Sequence, residues 1–143
     1  MIYGTHDNIR DMMRHVSSAV AKLAPHLNKF DSIAVRGTSG LLIGPTVALQ
    51  LGKPLVIVRK DTETAHSSSL VEQIGDMGHR VLFLDDFIST GDTRRAVLDA
   101  ISFRSNERAD LVGQYLYQGY DEETHEYTGT VTFFQASLKK PQL

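Results

Sequence analysis

A run of four apolar residues, Val81 to Leu84, stops at two adjacent acids, Asp85 and Asp86. An apolar run cut off by charge marks a short strand buried on both faces, as strands of parallel sheets are. Asp85 and Asp86 are not expected in that core. The chain must therefore surface at the strand's carboxyl end, the edge where open α/β sheets bind ligands. Next come Ser89, Thr90, Gly91, Asp92 and Thr93, small or hydroxyl-bearing residues around one glycine, and then a helix-forming segment from Arg94 to Phe103. A turn of small residues lets successive N–H groups converge, and the first turn of the following helix adds unpaired N–H groups backed by its dipole. The pattern predicts a phosphate site. Carboxylates laid against a phosphate would repel it, so Asp85 and Asp86 are assigned to neutral donors, such as two neighbouring sugar hydroxyls.

A second unit repeats the design. Ser32 to Val35 reads as a strand and runs directly into Arg36-Gly37-Thr38-Ser39-Gly40; Leu41 to Leu51 then reads as helix, with Pro45 expected in its first turn and Gly52 as its stop. Leu55 to Val58 is a buried-strand pattern ended by Arg59 and Lys60, two cations suited to a polyanion. Residues 61–78 are polar and rich in Ser and Thr, a long connection of the kind that is functional, mobile or both. Before the core, residues 7–24 carry Ile9, Met12, Met13, Val16, Val20 and Leu23 at helical spacing behind a cap at Asp7 or Asn8. His6, His15 and His26 lie on or near that helix and read as solvated rather than metal-binding. After the core, 109–117 reads as a strand close to a sheet edge, 119–129 as an acidic solvated loop, and 130–135 as a strand whose Phe133 and Phe134 belong to the core.

The length of 143 residues suits one α/β domain with a mostly parallel sheet, spanning 1–143. Fifteen Lys and Arg against seventeen Asp and Glu give a formal net charge of −2, without the basic stripe a nucleic-acid partner would favour. There is no cysteine, so disulfides and thiolate metal sites are excluded. No signal-peptide pattern and no run of membrane-spanning length is visible, and a cytoplasmic protein is expected.

Leu84 to Thr93, with its acidic pair, two apolar residues, small residue and Thr-Gly-x-Thr, resembles the phosphoribosyl pyrophosphate (PRPP) signature of type I phosphoribosyltransferases. The resemblance implies a single-domain α/β fold of that type, a mostly parallel sheet flanked by helices, with little chain left for a hood. It implies a pentosyltransferase of nucleotide salvage, a glycosyltransferase that passes the 5-phosphoribosyl group from PRPP to a nitrogenous base and releases pyrophosphate, with Mg²⁺ as cofactor. Under it, Ser89, Thr90, Gly91, Asp92 and Thr93 hold the 5′-phosphate; Arg36, Gly37 and Thr38 with Arg59 or Lys60 hold pyrophosphate, often through a non-proline cis peptide near Arg36. Residues 61–79 become a flexible lid carrying His66, with Ser67 and Ser68, toward the pyrophosphate. Asp85, Asp86, Arg59, Lys60 and His66 form the catalytic set. Phe87 is read as stacking on a base, the alternative being packing at the strand end. Two departures bear on the acceptor. Ser89 stands where hypoxanthine-guanine members carry an Asp, and the lid lacks the lysine of orotate-specific members. Oligomeric state stays open: the family often forms dimers, and the first helix offers one interface for a homodimer. The alternatives are a PRPP- or nucleotide-sensing regulator on the same scaffold, and an unrelated receiver-like α/β module.

Overall fold

The computed structural model describes residues 8–60 and 71–139. Helix α1 (Ile9–Leu23) starts at Asn8, whose side chain accepts the Asp11 N–H, and gives way to a 3₁₀ segment, Ala24–Lys29, with Pro25 in its first turn. Strand β1 (Ser32–Arg36) leads straight into α2 (Gly37–Leu51), which ends at Gly52 in the left-handed conformation. Strands β2 (Leu55–Val58), β3 (Val71–Ile74) and β4 (Arg80–Asp85) follow, then α3 (Asp92–Arg104), β5 (Asp110–Leu116) and β6 (Thr130–Phe133).

The six strands make one sheet in the order β3-β2-β1-β4-β5-β6. Its four central strands are parallel and both edge strands pair antiparallel. Alternation along β1 splits the core in two. Ile33 and Val35 join residues of α1 and α2 on one face, whereas Ala34 joins Val97, Leu98 and Ile101 of α3 on the other. Chain leaving β1 thus crosses one face and chain leaving β4 the other. The carboxyl ends of β1 and β4 therefore flank a crevice, as at the switch point of a doubly wound sheet. At the opposite edge Asp31 fixes this register: it accepts the N–H groups of His79 and Arg80 at 3.0 and 2.9 Å and pairs with the Arg80 guanidinium at 2.8 Å. Arg80 foremost holds the Asp31 carboxyl down at about 2.

Several expectations change. Helix α2 begins at Gly37, so Pro45 sits in its interior; Pro45 and Leu41 are both exposed, which leaves the missing hydrogen bond on the solvent side. The segment read as a loop over 61–79 contains β3, because Val71 buries its side chain while its backbone pairs along the β2 edge. Residues 61–70 lie outside the described residues, and His66, Ser67 and Ser68 with them. Strand β5 is interior, since β6 covers the edge it was expected to present. Phe133 and Phe134 are half-buried, beneath the cations of Lys29 and Arg94 respectively. His15 is buried, not solvated, with its ring 5.0 Å from that of Tyr117.

Candidate functional site

A cleft of about 210 Å³ opens where β1 and β4 end, lined by Arg36 to Ser39, Lys60 and the stretch from Asp85 to Arg94. Its three sides come from three connections. The turn from β1 into α2 supplies Arg36, Gly37, Thr38 and Ser39; the end of β2 supplies Lys60; the β4–α3 connection supplies the acids and the small-residue loop. The Lys60 side chain crosses Gly37 so closely that a Cβ there would meet its Cε at 3.0 Å. Gly37 has φ of 79°, a left-handed turn that glycine takes without strain. No peptide bond among the described residues is cis, the one entering Gly37 included, in contrast to the expectation near Arg36.

The acids differ in setting. Asp85 is 7 % exposed, at the very end of β4, so the strand carries a carboxyl into the edge of the core where none was expected. Burial pushes its pKa up to about 7, and the neighbouring charge of Asp86 adds to the rise; the Asp86 N–H and the charge of Lys60 work against it. Asp85 Oδ1 accepts the Asp86 N–H at 2.9 Å, and Asp86 Oδ1 accepts the Phe87 N–H at 2.7 Å. These short-range bonds turn each carboxylate toward the chain that follows it and fix the pair's orientation. Phe87 lines the cleft and is 54 % exposed, so its ring is accessible to a ligand.

Residues 89–93 run into α3 through Gly91, whose φ of 87° makes the turn, and the Asp92 N–H donates to Thr90 Oγ1 at 3.2 Å. Asp92 is exposed at the first residue of α3, where a negative side chain suits the helix dipole. A Cβ on Gly91 would meet nothing within 4 Å, so strain rather than crowding opposes a side chain there. Gly91→Val should fold yet bind ribose 5-phosphate about tenfold or more weakly, because a β-branched residue resists that φ. Wild-type affinity by calorimetry would show that the loop does not need this turn.

Of the paired cations at the end of β2, Lys60 lines the cleft and Arg59 is not among its lining residues. Arg36 Nε is buried without a hydrogen-bond partner among the described residues. A buried donor of a permanently charged group calls for an acceptor, and an anionic ligand would supply one. Sequence reasoning did not single out Arg94. It lies in the first turn of α3, lines the cleft, donates to Gln114 Oε1 at 2.8 Å and rests over Phe134. Its signal was only position, an arginine one residue past a phosphate-type loop. The cleft thus has cations at both ends and two carboxylates in between.

An open α/β sheet with two small-residue loops facing an acid pair at its switch point has the chemistry to suit an anionic, hydroxyl-bearing ligand. No family model matches the chain. It is 34 % identical over 103 residues to a hypoxanthine/guanine phosphoribosyltransferase of Methanosphaerula palustris, a match covering 64 % of this chain and 56 % of that protein. An HGPRTase-like protein of Halobacterium salinarum is 30 % identical over 125 residues, covering 78 % of this chain and 65 % of the relative. Among solved structures, adenine phosphoribosyltransferase of Saccharomyces cerevisiae, complexed with an imino-altritol bisphosphate and adenine, superposes with a TM-score of 0.56 at 26 % identity, over 75 % of this chain and 67 % of that one. The chain spans 56 to 65 % of the length of the two sequence relatives named here. It belongs to the type I phosphoribosyltransferase family.

Proposed function

We propose that the protein transfers the 5-phosphoribosyl group from PRPP to a nitrogenous base, releasing pyrophosphate and forming a nucleoside 5′-monophosphate. The observation that carries this is the charge layout of one cleft: Arg36 and Lys60 on the β1–β2 side, Asp85 and Asp86 in the middle, the 89–93 loop with Arg94 on the α3 side. PRPP has a matching order of groups, pyrophosphate, ribose hydroxyls and 5′-phosphate. Thr38 and the amides around Gly37 would receive the pyrophosphate with Arg36 and Lys60, while Ser89, Thr90, Gly91, Asp92 and Thr93 would cradle the 5′-phosphate. Arg59 stays in the proposal as an outer cation, and Phe87 as the ring against which the base stacks.

Departure of pyrophosphate leaves positive charge on the ribose ring. Asp85 and Asp86 hold the ring by its hydroxyls and face that charge, and the cations at the other end take up the charge of the leaving group. The acid pair fits a small hard cation that needs few protein ligands, and no cluster of three or more metal-ligating side chains occurs among the described residues. Mg²⁺, when bound, would neutralise pyrophosphate oxygens and lower the cost of charge separation there. Among the described residues no helix is long and apolar enough to cross a membrane, and cytoplasmic residence belongs to this proposal.

Calorimetric titration with PRPP and Mg²⁺, followed by a panel of purine and pyrimidine bases with pyrophosphate detection, tests the reading. Binding with release of pyrophosphate on one base supports it and names the acceptor. Binding without release from any base supports the PRPP sensor instead, and no binding overturns both.

A further inference from the structure

We infer that Tyr117 is a positioning residue that holds the turn carrying Arg36 to Ser39 in register with the acid pair, an inference that rests on the proposed reading of the cleft. Tyr117 directly follows β5 and is fully buried. A buried phenol needs an acceptor, and this one donates at 2.8 Å to the carbonyl oxygen of Ser39, 78 positions earlier in the chain and in the first turn of α2. Its backbone N–H donates at 3.0 Å to the carbonyl oxygen of Asp85, and the next N–H, that of Gln118, donates at 2.9 Å to that of Asp86. The Tyr117 side chain thus reaches the first anion loop while the backbone of Tyr117 and Gln118 is fastened to that of both acids. The His15 ring, 5.0 Å away and tilted by 57°, braces the phenol ring from α1.

This matters because the two sides of the cleft belong to helices on opposite faces of the sheet. Helix α2 bears on the sheet through Gly40 and Gly44, both packed against Val35, contacts that set its distance but are apolar and non-directional on the side chain they touch. The phenol hydrogen bond is directional, and it acts on the turn whose amides face the proposed pyrophosphate position. Displacement of such groups by a fraction of an ångström weakens a preorganised anion site severely. A core tyrosine with a merely structural role would instead lower stability and weaken every ligand in proportion.

The experiment is calorimetry of wild type and Tyr117→Phe with magnesium pyrophosphate and, separately, with ribose 5-phosphate. The expected result is a pyrophosphate dissociation constant raised about tenfold, as for loss of one buried hydrogen bond, with that for ribose 5-phosphate changed less than about twofold. Unchanged pyrophosphate affinity, or equal weakening of both ligands, overturns the inference alone. Failure of wild type to bind either anion overturns the reading of the cleft and the inference with it. Should Tyr117→Phe not fold, amide exchange of wild type decides. Magnesium pyrophosphate should protect the amides of Tyr117 and Gln118 together with those of the first turn of α2, and protection of α2 alone overturns the inference.

Discussion

Replacing Asp85 and Asp86 together by asparagine is expected to leave the fold intact and to reduce PRPP affinity at least about a hundredfold, since two charged acceptors become neutral amides at the ribose position. Single replacements separate the two acids. The Asp85 carboxyl titrates near 7 in the folded chain, against 3.8 for the free side chain. A raised acid is protonated in the folded state over a pH range in which it is ionised in the unfolded one. The folded chain therefore binds more protons between about pH 4 and 7, and stability is full below that window and falls as pH rises through it. The shift corresponds to at most about 4 kcal/mol. Asp85→Asn should remove that fall, so that the variant's Tm exceeds that of wild type above pH 7 and its profile flattens in the window, as differential scanning calorimetry would record. Ligand binding runs the other way in wild type. A carboxylate that must accept hydroxyls has to shed its proton, so PRPP affinity should drop as pH is lowered below 7 and a proton should be released on binding. Equal Tm profiles for wild type and Asp85→Asn would show that Asp85 is not desolvated. Unchanged PRPP affinity in the double variant would remove the acids from the ribose role.

The core strands were legible because each is an apolar run closed by charge or glycine, and a parallel strand buried on both faces leaves that trace. Val81 to Leu84 and Leu55 to Val58 are such runs, and both are strands. The acid pair and the small-residue loop were legible for a related reason: polar groups directly after an apolar run must emerge at the sheet's carboxyl edge. What failed depended on tertiary context. Strand β3 has one buried side chain in four positions, too little alternation to stand out from a polar stretch; it exists because β2 offers an unpaired edge. Asp85 is buried because the chain folds back at Tyr117 and Gln118 and seals the end of β4, contacts more than thirty residues distant that no local pattern carries. His15 is buried for the same reason, since Tyr117 comes to lie against it. Pro45 was misplaced because the helix starts four residues earlier than its apolar pattern, at the glycine turn itself.

Gly40→Val tests whether the seat of α2 sets the geometry of the cleft. A Cβ on Gly40 would lie 2.8 Å from the Val35 Cβ and 3.2 Å from the Leu84 carbonyl oxygen. Neither is the free end of a flexible side chain: one is the stem of a fully buried residue and the other is sheet backbone, so the helix must give way. Valine adds two further carbons to the clash. Overpacking of this kind costs about 3 kcal/mol, which in a chain of this size lowers Tm by roughly 10 °C. The direction of the movement matters more than its cost. Lifting the first turn of α2 from β1 and β4 carries Thr38 and Ser39 away from Asp85, so magnesium pyrophosphate should lose most of its affinity, while ribose 5-phosphate, held on the α3 side, should keep most of its own. Gly52→Ala supplies the control. Gly52 lies at the other end of α2 with φ of 68° and open space around a Cβ, so that variant is strained by its backbone alone, far from the cleft. It should lose stability without changing either affinity. If Gly40→Val instead retained wild-type pyrophosphate affinity, close packing of α2 on the sheet would be a matter of stability only, and the cleft would owe its shape to the loops themselves.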